Sequence, residues 1–195
     1  MALTIVQTGD PVLRQRARPL APGEIAGREI QDLIRQMHKT MEDAPGVGLA
    51  APQVGVPLQL AVIEDREEYH QDVSAEQLAA RERRAVPFHV IINPVLTGVP
   101  GSTVEFFEGC LSLAGFTALV PRMHAVRVEC LDERGRPKVI EASGWYARIL
   151  QHEIDHLNGT LYIDRMRSRT LTSVENWKLF WKDKSIEEVR AALSA

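Results

Sequence analysis

Between residues 24 and 43 the side chains Ile30, Leu33, Ile34, Met37 and Met41 recur three and four apart with charged residues between them. That period predicts an amphipathic helix, stopped by Pro45-Gly46. The pattern then changes to the period of strands. LQLAVIE (Leu58 to Glu64) reads as one strand, and FHVIINP, TVEFFEG and HAVRVECLDERGRPKVIEA supply three or four more runs rich in Val, Ile and Phe. The last of these is split by an Asp-Glu-Arg-Gly turn into a hairpin, along whose first arm Val126, Val128 and Cys130 alternate, so Cys130 is assigned to packing. From Glu64 the composition turns charged, and residues 64–87 predict a surface excursion with a short helix that starts at Ser74 with Gln77 three residues on.

A second helix is expected over SGWYARILQHEIDHLNG, capped by Ser143 or Gly144 and stopped at Asn158-Gly159. Trp145, Ile149, His152 and His156 fall on one of its faces, and Leu150, Ile154 and Leu157 form a neighbouring apolar stripe directed at the core. The tail, residues 168–195, carries Trp177, Phe180 and Trp181 and ends in a short helix from Ser185, with Ser185 and Glu188 spaced as a capping box. Strands follow strands with helices at the ends. This segregation predicts a single α+β domain over residues 1–195, with mostly antiparallel β-sheets packed around the histidine-bearing helix and with N-terminal and C-terminal helices.

A chain of 195 residues that is 45% hydrophobic can bury a core and hold a pocket without disulfide staples. Its formal charge of -3, from 23 basic and 26 acidic side chains well mixed, provides no field for nucleic acid or for an anionic membrane, and neither is expected as a direct partner. No apolar run approaches the ~20 residues of a membrane span. The two cysteines, Cys110 and Cys130, lie in different local patterns, and no apolar leader precedes MALTIVQTGD, so a reducing compartment is expected.

The chemistry concentrates in QHEIDHLNG, Gln151 to Gly159. On a helix His152 and His156 present their imidazoles to one ion, and Glu153 lies beside it within reach of a bound water. A catalytic metal commonly takes a third protein ligand and keeps a position for water. The metzincin pattern fails, because Tyr162 stands where its next histidine belongs. Two candidates stay open: Glu175, at a distance suited to a zinc peptidase, and Cys110 in EGCLS, beside a glycine that permits close backbone approach. A closed structural metal module would need a fourth ligand, for which Cys130 is already committed to a strand. Helical spacing turns Asp155 away from the metal face, toward an anchoring role, and leaves Arg148 to pair with Asp155 or with solvent.

GVGLAAPQVG (Gly46 to Gly55) adds small residues that let main chain approach a ligand, with Gln53 as a side-chain donor. In this order and at these separations, GVGLAAPQ, EGCLS and QHEIDH resemble the three signature motifs of peptide deformylase, which removes the N-formyl group from nascent chains. The likeness runs from TGDPVLR to LYIDRM, and APGVGLAAPQ, ASGWYARILQHE and the charged excursion resemble its organellar branch. The resemblance implies Cys110, His152 and His156 as ligands of one divalent ion, Fe(II) natively, with Zn(II), Ni(II) or Co(II) able to replace it. It implies metal-bound water as nucleophile, Glu153 as general acid/base, and the Gln53 side chain and Leu111 backbone N–H as oxyanion donors. Val47 and Gly48 would pair with the peptide, and Phe106, Glu108, Trp145 and Ile149 would line the first side-chain pocket. The implied partners are N-formylmethionyl nascent peptides with transient ribosome association; the compartment is a bacterial cytoplasm or, as alternative, a mitochondrion or plastid.

Overall fold

The structure, a computed structural model, describes residues 2–71 and 73–193. The first predicted helix is two: α1 (Pro22–Ile25) and α2 (Arg28–Asp43). They separate at Ala26-Gly27, where glycine disfavours helix continuation and serves as the α2 N-cap. On α2 the side chains of Ile30, Ile34, Met37 and Met41 are buried, while Leu33 is half-buried at the edge of the stripe.

Strands β1 (Gly48–Ala50), β2 (Leu60–Asp65), β3 (Val86–Gly98), β6 (Ala125–Leu131) and β7 (Pro137–Ser143) form an antiparallel sheet in the order β1-β2-β3-β6-β7. Both of its faces are covered. Leu60, Val62, Val90 and Ile92 pack with the α2 stripe, whereas Ala61, Ile63, Ile91, Val126, Val128 and Cys130 pack with Ile149, Leu150, Ile154 and Leu157 of α4 (Gly144–Leu157). This double coverage is why LQLAVIE has almost no polar alternation: successive side chains enter two different cores, and each large aliphatic one contributes about 1.5–3 kcal/mol on burial.

A second antiparallel sheet has the order β4-β5-β8, from β4 (Thr103–Cys110), β5 (Leu113–Met123) and β8 (Thr172–Ser173). Sequence pattern alone misses β5, because Gly115 and Pro121 interrupt it. Pairing decides otherwise: Thr103 to Gly109 run in register against Met123 to Thr117. Since β8 covers only Phe116 and Thr117, β5 has a single partner around Pro121, where a missing N–H is tolerated. The tail forms α5 (Val174–Phe180), which was not foreseen, and α6 (Ile186–Leu193), which was. The expected capping box is present, with Ser185 N donating to Glu188 Oε2 at 2.8 Å and Glu188 N to Ser185 Oγ at 3.2 Å.

The charged segment holds the expected short helix, α3 (Ala75–Ala80), with Ser74 Oγ accepting from Gln77 N. The segment lies mostly at the surface and sends two groups inward. Asp65 is fully buried on Arg83, and the carbonyl of Arg81 accepts from Trp145 N at 2.8 Å, capping the first turn of α4. Gly144 makes this contact: its φ is +59°, and a Cβ there would lie 2.8 Å from that carbonyl oxygen.

Candidate metal centre

Helix α4 and the end of β4 bring Cys110, His152 and His156 together, with one donor atom of each within 4.8 Å of the others. Cys110 Sγ is 3.2 Å from His156 Nε2. His152 Nδ1 lies 3.0 Å from Glu108 Oε2, and donation to that carboxylate keeps the Nε2 lone pair free for the cluster. A thiolate and two imidazoles fit an Fe(II)- or Zn(II)-type ion. Among the described residues no further Cys, His, Asp or Glu joins the three, which is the ligand count of an open site. Glu175, the runner-up third ligand, is exposed in the first turn of α5 and outside the cluster. Burial opposes charge on both imidazoles: it holds His156 well below the usual range, whereas contacts with Cys110 and Glu108 outweigh it and raise His152.

Behind the cluster lies a buried ionic network. Arg122 grips Glu108 with two bonds of 2.9 Å, Arg148 adds one of 2.5 Å, and Arg148 also donates to the carbonyls of Val120 and Val104. Arg148 therefore pairs with neither Asp155 nor solvent, correcting the sequence expectation; it is 2% exposed. Burial by itself would raise the Glu108 carboxyl, but His152 and Arg122 outweigh it and hold it well below the usual carboxylate range. Asp155 has the anchoring role expected from its helical position, bridging Arg122 and Arg165.

Gln53 sits in a single helical turn, Ala51–Val54. Its Oε1 accepts from Ala50 N at 2.8 Å, which directs Nε2 to Cys110 Sγ at 3.5 Å and Ser112 Oγ at 3.3 Å. Glu153 is 3% exposed, and burial pushes its carboxyl up to about 7, with the charge of His152 offsetting only part of the effect. Among the described residues nothing hydrogen-bonds its Oε2. A Cβ on Gly48 would stand 2.3 Å from Glu153 Oε1. Gly48→Ala is thus expected to displace the carboxylate and lower turnover by about 100-fold with metal content unchanged, which steady-state rates and metal analysis on one sample would check.

The cluster opens into a cavity of about 510 Å³ lined by Val47, Gly48, Leu111, Glu108, Trp145 and Ile149, among others. Phe106 is the exception among the expected lining residues. It packs against Trp145, with ring centroids 6.2 Å apart, beneath the guanidiniums of Arg81 and Arg148, and Phe107 lines the cavity in its place. Sequence reasoning also missed Arg83 and Val174, which reach the cavity from the charged segment and the tail. Arg122 was equally unforeseen; only the need of a buried carboxylate for a cation hinted at such a partner. At the cavity both sheets end in edge strands, β1 and β4.

Three comparisons fit this geometry. The family model described as polypeptide deformylase matches residues 2–171. The chain is 50% identical over 175 residues to "Peptide deformylase 1A, chloroplastic/mitochondrial" of Arabidopsis thaliana, covering 90% of this chain and 65% of that protein, so it spans just under two thirds of that relative's length. It is 46% identical over 191 residues to "Peptide deformylase 3" of Streptomyces avermitilis, covering 98% of this chain and 83% of the relative. Among solved structures, a Met-Ala-Ser-bound class I type b peptide deformylase from Acinetobacter baumannii superposes with a TM-score of 0.76 at 29% identity, covering 85% of this chain and 99% of that one.

Proposed function

The chain belongs to the polypeptide deformylase family, and on that premise we propose that it hydrolyses the formyl amide of N-formylmethionyl peptides, releasing formate and a free N-terminal amine. The observation that carries this reading is the convergence of Cys110, His152 and the buried His156, with Cys110 and His152 lining one cavity together with Glu153 and Gln53. When bound there, a divalent ion supplies Lewis acidity toward the formyl carbonyl and acidifies a coordinated water.

The chain's own groups do the rest. Glu153, buried and poised near neutrality, takes the proton of the attacking water and returns it to the leaving amine, which leaves poorly without it. Gln53 Nε2, aimed by its bond from Ala50, and the Leu111 backbone N–H donate to the formyl oxygen as it gains negative charge. Val47 and Gly48 offer main chain at the β1 edge to an extended peptide, a mode that holds any sequence because it reads only backbone. Trp145 and Ile149 flank the methionine side chain, and Glu108 sets the orientation of His152.

Fe(II) is the ion proposed for the native enzyme, with Zn(II), Ni(II) or Co(II) as functional replacements; cysteine and histidine suit all four. Nascent chains are the proposed source of substrate, met in transient association with the ribosome. A bacterial cytoplasm is the first compartment proposed and a mitochondrion or plastid the second, since relatives of both kinds match. Among the described residues no helix is long and apolar enough to cross a membrane.

Cys110→Ser tests the ligand set. The variant is expected to lose bound metal and formate release from formyl-Met-Ala, with acetyl-Met-Ala as the inert control for the wild type. Metal and activity both retained in Cys110→Ser, with loss on Glu175→Ala, would return the site to the peptidase reading.

A further inference from the structure

Among the described residues Arg83 is the one cavity-lining residue that the charged segment contributes, and its surroundings immobilise it. Its Nε and Nη2 each donate to a different oxygen of Asp65 at 2.8 Å, and Asp65 is fully buried. The guanidinium carbon stands 5.5 Å from the Trp145 ring centroid, and the Arg83 side chain is 10% exposed. Two of its three nitrogens are therefore committed. Among the described residues nothing accepts a hydrogen bond from the third, Nη1.

The same indole is flanked by Arg81 at 5.1 Å and Arg148 at 5.9 Å, and it lines the cavity together with Ile149. A side chain lying against Trp145 thus meets apolar surface and, beside it, a rigid cationic donor. A purely apolar occupant strips water from Nη1 and returns nothing, a thioether returns a weak acceptor, and an oxygen at the same position returns a charge-assisted bond. Sites that hold such a donor discriminate by whether the ligand satisfies it.

We propose that Arg83 is a substrate-binding residue of the first side-chain pocket, and that through Nη1 the enzyme also deformylates chains whose N-terminal methionine has been oxidised to the sulfoxide. The inference rests on the deformylase reading above. The chemistry at the formyl group is unchanged, with water adding to the formyl carbon, the C–N bond breaking and the proton going to the amine. Sulfoxide oxygen enters only as an acceptor that Nη1 meets.

The test compares formyl-Met-Ala-Ser, its methionine-sulfoxide form and formyl-norleucyl-Ala-Ser on metal-loaded wild type and on Arg83→Lys. Lysine keeps a cation for Asp65 but has no second arm to reach the cavity. A second variant, Asp65→Asn with Arg83→Leu, removes both charges and guards against an unpaired buried carboxylate. Wild type is expected to turn over the sulfoxide with kcat/KM within about tenfold of methionine. In both variants the ratio of kcat/KM on the sulfoxide to that on norleucine is expected to fall about tenfold or more, in KM rather than kcat. Equal losses on all three substrates, or sulfoxide rejection by the wild type about 100-fold or more below methionine, overturn the proposal while leaving the deformylase reading intact. Wild type inert toward formyl-Met-Ala-Ser overturns that reading and the proposal with it.

Discussion

Glu153→Gln is expected to retain metal and fold while formate release falls by about 100- to 10,000-fold. The side chain is 3% exposed, burial has pushed its carboxyl up to about 7, and its Oε2 has no hydrogen-bond partner among the described residues. A carboxylate so placed exchanges protons readily near neutral pH, and the isosteric amide fits the same space but exchanges none. No ion pair is broken, so no charge is stranded, and the stability change should stay within about 1 kcal/mol. Rates measured alongside metal content and thermal unfolding decide it: wild-type turnover in a metal-replete Glu153→Gln protein would remove the carboxylate from the reaction.

Glu108→Ala has the largest expected effect on the protein as a whole. Glu108 is the carboxylate that Arg148 hydrogen-bonds among the described residues; it shares Arg122 with Asp155, and it accepts from His152. Removing it strands guanidinium charge at sites 4% and 2% exposed. Truncating one partner of such a buried pair costs about 3–5 kcal/mol. His152 also loses the bond that orients it, so metal affinity is expected to fall by about 10- to 100-fold. Denaturant unfolding and metal titration separate the two effects, and an unchanged unfolding midpoint would mean that the arginines find other partners.

Those expectations depend unequally on what can be read along the chain. The α2 stripe, the two-residue alternation of β6, the Ser74 and Ser185 caps and the face shared by Trp145, Ile149, His152 and His156 are legible because each involves residues within a turn or two of one another. Phe106 and Phe107 show where that legibility ends. Both are aromatic neighbours on one strand, and which of them lines the cavity depends on Trp145 and Arg81, far away in sequence. Gly115 and Pro121 likewise argue locally against β5, and only the ladder with β4 overrides them.

By itself, then, the amino-acid sequence determined the α+β class, the placement of both histidines and Glu153 on one helix, and, through three spaced motifs, the family. Tertiary structure alone decided that Arg148 serves Glu108 and that Arg83 crosses from a charged loop into the cavity. The reason is physical. Helical period and end caps arise from bonds between near neighbours, whereas the partner of a buried charge is chosen by desolvation among groups that folding brings together from 40 or more residues apart, as with Arg148 and Glu108.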